Sequence, residues 1–450
     1  MTNRLKAAIV AIALTFSSCA PYSANTMSLR HSLSSGNYTS ALDAVERAAH
    51  GSSKLLYFLE SGLIAHYDGD YALSNILLER AERISDELFT RSLSRQLAAI
   101  VTSDESKHYR GETFELVSIH YYRALNYWYL DLREDALVEC RKANLKLARY
   151  TNPEAATTSY KNDPFIHYVT ALFYESEGEL NDAYVSLRDA ESAYQTYAGK
   201  FGVPAPQALH SDLARVEREL GYASTQLDVS PLTEHLPTGS GELVVFAELG
   251  FIPRMTQEEL SLPLYNSDLR DVCSGSVKKI SRQIRTRHRR HTQSASVDYW
   301  LRIAVPRLEP KSSGVPQIRI IAGHQAIIPD RVQDLDAIAR LSLKERSGSI
   351  FARTIKRTLI KFAVTKSAEK KNEWLGFLVN AFFASTEKAD TRSWVTLPRE
   401  IQIGRLHLPP GQHTILIQSL GRSGRVIHEV ARQVTIKLGE RTFINHRQYS

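Results

Sequence analysis

A helix-turn-helix pattern that recurs through the first half of the chain constrains its fold most. Four segments each place two small residues seven positions apart, shortly after a Gly or Asp that suits a turn: Ala41 and Ala48, Ser74 and Ala81, Ala136 and Ala143, Ala183 and Ala190. Seven residues make two helical turns, so each pair lies on one face of a helix. Small side chains let a second helix pack closely against the first. The pattern predicts helical hairpins over 27–223.

The spacing of the hairpins indicates the type of repeat. Ala48 and Ala81 are 33 residues apart, close to the 34-residue period of tetratricopeptide (TPR) units. The last two hairpins are 47 residues apart, and Asn152-Pro153 and Asp163-Pro164 predict an inserted loop between them. We expect an all-α, TPR-like solenoid over 27–223. A non-repeating helical bundle is the alternative.

Aromatic residues crowd the middle of this array. Solenoids bind peptide segments or other proteins on a concave surface, so Tyr121, Tyr122 and Trp128 are candidates for lining such a groove. The alternative is core packing, which is the commoner role of aromatic residues at helical spacing. The histidines of the chain show no metal-ligand spacing.

The second half of the chain has a different pattern of residues. A Ser/Thr/Pro-rich linker at 224–240 precedes short apolar runs with Gly turns, beginning at Leu243-Val244-Val245-Phe246. These runs predict a β-sandwich-like domain at 241–450, antiparallel and of Ig or transthyretin type. A helical insert is expected at 331–386, with one apolar face made of Phe351, Ile355, Leu359 and Phe362. The predicted fold class is therefore α + β, multidomain, with the solenoid first.

The N-terminus has the features of an export signal. Arg4 and Lys6 precede an apolar run that is too short to span a bilayer, and small residues then lead to Cys19. This arrangement resembles the lipobox of bacterial lipoproteins. The resemblance implies a signal peptide at 1–18, lipid on Cys19 and a tether at 19–26. Ala20 favours the outer membrane of a Gram-negative bacterium, facing the periplasm.

Charge is distributed unevenly between the halves. Residues 231–450 hold 34 Lys and Arg against 20 Asp and Glu, and the first 230 residues hold the remaining 22 and 29. One basic run contributes a candidate surface: Lys278, Lys279, Arg282, Arg285, Arg287, Arg289 and Arg290. After export such a run meets lipopolysaccharide or anionic lipid rather than nucleic acid. An ordinary solvated segment is the alternative.

No enzyme site can be identified. The chain contains none of the common hydrolase, metalloprotease or nucleotide-binding motifs, so we expect no catalytic residue, cofactor or metal ion. Besides Cys19 there are two cysteines, Cys140 and Cys273, and a bridge between them stays open. A cell-wall or polysaccharide enzyme is the least supported alternative.

Four segments resemble a poorly characterised family of TPR-containing bacterial lipoproteins. They are Glu112-Thr113-Phe114-Glu115 with the helix that follows, Asn162-Asp163-Pro164-Phe165, Gly241-Glu242-Leu243-Val244-Val245, and the run from Ala389 to Pro398. The resemblance implies an association with small lipoproteins of the curli-secretion-channel and penicillin-binding-protein-activator type. It brings no catalytic residue. In the last segment we expect an Asp390–Arg392 pair and a buried Trp394.

These features favour a non-enzymatic scaffold that assembles other envelope proteins through its TPR groove. The alternative is a module that contacts polyanions or membrane through the basic second half.

Overall fold

The computed structural model describes residues 22–49, 53–94, 108–150, 160, 162–222, 239–264, 299–310, 317–369, 388–421 and 423–449. Its fold is mixed α + β, with helices first and a strand-rich region after them. The helices of the first half are α1 (Tyr22–Ser34), α2 (Tyr38–Ala49), α3 (Lys54–Asp68), α4 (Tyr71–Ser94), α5 (Thr113–Tyr129), α6 (Arg133–Tyr150), α7 (Pro164–Ser176), α8 (Leu180–Phe201) and α9 (Gln207–Glu219).

The four predicted helical hairpins are present as α1/α2, α3/α4, α5/α6 and α7/α8. All eight small residues of the pattern are buried in the second helices. Gly62 of α3 shows why size matters, because a Cβ there would lie 2.7 Å from the Leu78 side chain of α4. The turns also match: Gly36, Gly69 and Gly178 have positive φ, and Asp131 adopts the same conformation (φ 61°) in the hairpin that lacks a glycine.

The second half contains β1 (Gly241–Leu249), β2 (Met255–Leu264), β3 (Tyr299–Leu308), β4 (Gln317–Ala322), β5 (Gln325–Ile327), β6 (Asp330–Asp334), α10 (Leu335–Glu369), β7 (Glu400–Leu408), β8 (Gly411–Leu420), β9 (Val426–Ile436) and β10 (Arg441–Gln448). An inner sheet has the order β10-β1-β7-β6, and an outer sheet has the order β5-β4-β8-β9. Apolar side chains of both sheets meet in one cluster, which includes Leu243, Val245, Ile320 and Ile417. The sandwich is present, but it is not purely antiparallel, because β1 and β10 pair in parallel.

The inner sheet is covered on both faces. Along β1, Leu243 and Val245 point into the sandwich, whereas Val244 and Phe246 belong to the same hydrophobic cluster as the helices. Every residue of β1 is therefore buried. The predicted solenoid and sandwich domains share a continuous core instead of standing apart.

The predicted helical insert begins later than expected. Residues 330–334 form strand β6 at the edge of the inner sheet, and α10 starts at Leu335. Its predicted apolar face is confirmed: Ile355, Leu359 and Phe362 pack on the β2–β3 hairpin. Residues 370–386 of the insert and the linker at 224–238 lie outside the described residues.

The helical array also begins earlier than predicted. Helix α1 starts at Tyr22, so residues 22–26 of the expected tether are helical. Among the described helices, none is both long enough and apolar enough to cross a bilayer.

Candidate functional site

The surface where the helical array meets the inner sheet contains the densest set of polar and aromatic contacts. Its helical side comes mainly from the first helix of each hairpin, α1, α3, α5 and α7, together with α9. Of the second helices, α8 also reaches the sheet, where Tyr194 Oη donates to the Val332 carbonyl oxygen of β6 at 3.1 Å. We call this contact surface the interface.

The candidate groove aromatics lie inside the interface, and the hypothesis that they line an open groove is wrong. Tyr121, Tyr122 and Trp128 are all buried. Trp128 stacks on Phe173 with ring centroids 4.2 Å apart and meets Phe443 of β10 edge-on at 5.0 Å. The chain's own sheet therefore fills the surface on which a peptide was expected.

A strap, residues 388–399, crosses the helices before it enters β7. The Trp394 amide donates to Glu115 Oε1 at 2.7 Å, and the Val395 amide donates to Glu60 Oε1 at 2.9 Å. Arg30 Nε of α1 donates to the Val395 carbonyl oxygen at 3.0 Å. Three helices thus bind the strap through its backbone.

The expected contacts within the strap are present. Arg392 Nε and Nη2 donate to the two carboxylate oxygens of Asp390, each at 2.8 Å. Trp394 is fully buried. This pair and this ring fix the strap, and all three residues stand before the start of β7 at Glu400.

Glu248 of β1 is a buried carboxylate among tyrosines. Tyr67 Oη donates to Glu248 Oε2 at 2.6 Å, and Tyr121 Oη donates to Oε1 at 3.1 Å. Burial raises the pKa of Glu248 above its usual value. The protonated form is therefore favoured more strongly than in water.

Asp163 repeats this chemistry at the start of α7. Its Oδ1 accepts the Phe165 amide as a helix cap at 2.9 Å, while Oδ2 accepts Tyr160 Oη at 2.6 Å and Gln333 Nε2 of β6 at 2.7 Å. Burial raises the pKa of Asp163. One side chain thus joins the helical array to the edge strand of the inner sheet.

Glu242, at the other end of β1, has a different environment. Arg405 Nε and Arg441 Nε each lie 2.5 Å from its carboxylate oxygens. Arg405 also binds Asp212 of α9, and Arg441 Nη1 lies 2.8 Å from Glu175 Oε2 of α7. Burial alone would raise the pKa of Glu242, but the two arginine charges outweigh it and hold that pKa well below its usual range.

Between Glu242 and Glu248, uncharged side chains form a series of hydrogen bonds that joins the sheet to the helices. Asn445 Nδ2 of β10 donates to His66 Nε2 at 2.7 Å, and His66 Nδ1 then donates to Asn126 Oδ1 at 2.6 Å. Asn126 Nδ2 donates onward to Ser74 Oγ at 2.8 Å. Burial lowers the pKa of His66 to about 4, so this histidine is neutral at physiological pH and serves as a bridge between helices and sheet.

One cluster behind the interface has residues of metal-binding type. The nearest ligand atoms of Glu82, His120 and Glu139 lie within 4.8 Å of one another. However, Arg123 Nη1 lies 2.7 Å from Glu82 Oε2 and 3.1 Å from Glu139 Oε1. Arg123 thus already bridges the two carboxylates, and Lys142 and Lys146 add further positive charge. The cluster is an ion-pair network.

Several predicted site residues lie outside the described residues, namely Cys19, Cys273 and the basic run from Lys278 to Arg290. Cys140 is described, and it is a free, buried cysteine. Burial raises the pKa of its thiol to about 12, so it is unreactive as a nucleophile.

The carboxylates that organise the interface were missed as site residues, although the sequence contained a signal. Glu242 and Glu248 stand in an otherwise apolar strand, where a charged residue needs a specific partner. The four segments that carry the family resemblance also meet here, since they supply α5, the cap of α7, β1 and the strap.

Comparison with known proteins identifies no family for this chain. The chain matches no protein-family model, and no curated protein matches it. Among solved structures, the crystal structure of MamA protein aligns with 47% of this chain and 98% of its own, at 13% sequence identity and a TM-score of 0.25. A TM-score this low does not indicate that the two chains share a fold.

Proposed function

We propose that this protein is a lipid-anchored, non-enzymatic adaptor of the bacterial envelope whose TPR-like array binds a partner protein through its outer helices. The filled inner face is the observation that carries the proposal. A solenoid ordinarily offers its concave side to partners, but here the chain's own sheet occupies the inner helices. A partner must therefore bind elsewhere.

The second helices offer a row of exposed apolar side chains. Ile76 of α4, Val138 of α6 and Val185 of α8 are 56%, 39% and 57% exposed. Each stands two residues after the first small residue of its hairpin, so the three occupy equivalent positions in successive repeats. Single exposed apolar residues are ordinary, whereas a row at one repeat position is suited to a protein contact.

The anchor part of the proposal rests on the leader and on the position of α1. If Cys19 is acylated, only residues 19–21 separate the lipid from the first helix. Three residues span at most about 10 Å. The first hairpin then lies close to the membrane, and the later hairpins can extend toward partners, including small neighbouring lipoproteins.

The partner surface can be tested with a triple variant, Ile76→Ser, Val138→Ser and Val185→Ser, in the full chain. Crosslinking in intact envelopes should give a defined partner adduct with the wild type and lose it with the triple variant. Ile427→Ser is the matched control, because Ile427 is equally exposed but lies on β9. An adduct that survives the triple change would refute the outer-helix surface.

The anchor has a separate test. Radiolabelled palmitate should enter the wild-type protein and not the Cys19→Ser variant. A mature protein without acyl chains would refute the anchor and leave the partner surface untouched.

A further inference from the structure

The outer sheet of the sandwich ends in a long strand with an unpaired edge. Strand β9 stands last in the order β5-β4-β8-β9 and pairs with β8 on one side. Residues 426–433 are exposed on both faces of the strand, apart from the half-buried Val430. Among the described residues, no backbone group of 428–434 has a hydrogen-bond partner outside the ladder with β8. This edge therefore presents a row of free backbone donors and acceptors.

The other edges of the sandwich are either short or in contact with helices. At the β6 edge of the inner sheet, Tyr194 of α8 donates to the Val332 carbonyl oxygen, and on β10 Asn445 donates to His66 of α3. Strand β5 has only three residues. Natural proteins commonly protect a long edge with Pro, Lys or a bulge, because such an edge pairs readily with another strand. Strand β9 contains neither Pro nor Lys, and its register irregularity lies at its first residues.

We propose that β9 pairs with β9 of a second copy of this chain, antiparallel about a two-fold axis at Ala431, so that the two outer sheets join into one. Ala431 is the middle residue of this strand of 11 residues. A two-fold axis perpendicular to the sheet keeps each face on its own side, and side chains alternate between the faces. The axis must therefore pass through a residue and not between two residues.

The charges of β9 select Ala431 from the central residues of the strand. An axis there places Glu429 opposite Gln433 of the second copy. It also places Arg432 opposite Val430, so that each charged side chain faces an uncharged one. An axis at Glu429 or at Arg432 would place two like charges directly opposite, which is destabilising. An axis at Val430 would place Arg432 opposite a histidine.

This contact is separate from the partner surface on α4, α6 and α8. It uses mainly backbone hydrogen bonds of 428–434, with the side chains setting the register. The two proposals can therefore fail independently of each other.

Cysteine crosslinking of the purified full chain tests the axis. In a Cys19→Ser, Cys273→Ser background, the buried Cys140 is the remaining cysteine. Ala431→Cys should then give an intermolecular disulfide under mild oxidation, because Cα atoms of directly opposite residues lie about 5 Å apart, within reach of such a bond. Ala326→Cys is the matched control, since Ala326 is an exposed alanine on β5 at the other edge of the same sheet, and it should remain monomeric.

The register has its own crosslinking test in the same background. Glu429→Cys alone should not form the disulfide, because its two copies are offset by about 14 Å along the strands. A mixture of Glu429→Cys and Gln433→Cys should form it, because these positions face each other across the axis. A disulfide in Glu429→Cys alone, or none in the mixture, would overturn the register at Ala431.

Sedimentation of full chains without added cysteine gives a second measurement. Gln433→Glu places like charges opposite each other at two symmetric positions, whereas Gln433→Lys places opposite charges there. Both changes remove the same bond to Thr414 on β8, so the dimer dissociation constants of the two variants should differ by about tenfold, with the lysine variant tighter. Equal constants would overturn the proposal. A chain that stays monomeric at all concentrations would also overturn it and would leave the edge to a peptide of another protein.

Discussion

The two ends of strand β1 hold the same residue type in opposite surroundings. Glu242 and Glu248 lie on the helix-facing side of the strand, and both are buried. Two arginines hold Glu242, whereas Glu248 is held by tyrosine hydroxyls. The pKa falls at the first end because the arginine charges outweigh burial, and it rises at the second because burial dominates.

This difference shows how a helical array can be joined to a sheet by two kinds of polar contact. At the arginine end, three arginines balance three carboxylates, so removal of any one charge leaves the buried cluster with a net charge. At the tyrosine end, a neutral side chain of similar shape can take the place of the carboxyl. The two ends should therefore respond very differently to similar substitutions.

The largest effect is expected from Arg405→Met. This change leaves Arg215 and Arg441 to balance Asp212, Glu175 and Glu242. The buried net negative charge should lower the free energy of unfolding by about 3–5 kcal/mol. Urea unfolding measures it. Arg319→Met is the control, since Arg319 bonds a glutamine on the outer sheet and should cost about 1 kcal/mol or less. A similar small loss for Arg405→Met would remove the distinction between the two ends.

Replacing glutamate by glutamine at each end of β1 should have smaller effects on stability, but these effects should differ clearly between the two ends. Glu242→Gln should cost about 1.5–3 kcal/mol at pH 8, because it weakens hydrogen bonds to charged groups. Glu248→Gln should cost nothing at pH 8 or stabilise the protein, because glutamine needs no proton to be neutral.

The pH dependence of unfolding should separate these two variants further. A raised pKa in the folded state gives stability that is complete below the unfolded pKa and is lost as the pH rises through the folded pKa. Glu248→Gln should therefore remove this loss above the unfolded pKa of the carboxyl. A lowered pKa gives stability above the unfolded value that is lost in acid, so Glu242→Gln should flatten the acid side. Identical profiles for both variants would contradict the comparison.

Loss of one tyrosine hydroxyl at each end should also have unequal effects. Tyr168 Oη donates to Asp212 Oδ2 at 2.9 Å and accepts from Arg405, so Tyr168→Phe should cost about 1.5–3 kcal/mol. Tyr121→Phe removes one longer bond to Glu248 and should cost about 1 kcal/mol. Thermal or urea unfolding of the two variants should preserve this order, and the reverse order would be evidence against it.

Local structure could be predicted from the sequence because it depends on neighbours in the chain. Pairs of small residues seven positions apart predicted the hairpins. Asp131 stands where the other hairpins have a glycine with positive φ, and it adopts the same conformation. The apolar face of α10 was predictable from its helical spacing for the same reason.

The interface could not be predicted because its contacts join distant parts of the chain. The parallel pairing of β1 with β10 unites residues about 200 positions apart. The role of Tyr121, Tyr122 and Trp128 depended on whether a sheet covered the helices, which helical spacing does not reveal. Opposite pKa shifts at Glu242 and Glu248 likewise require knowledge of their partners, because the strand sequence around each is similarly apolar.

Native-state hydrogen exchange in increasing urea tests most directly that helices and inner sheet form one folding unit. Peptides from α5 and from β1 should exchange through the same cooperative opening, with equal free energies and equal dependence on urea. If β1 loses protection at low urea while α5 remains protected, the sheet is a separable domain, and the inner face of the array is open to partners after all.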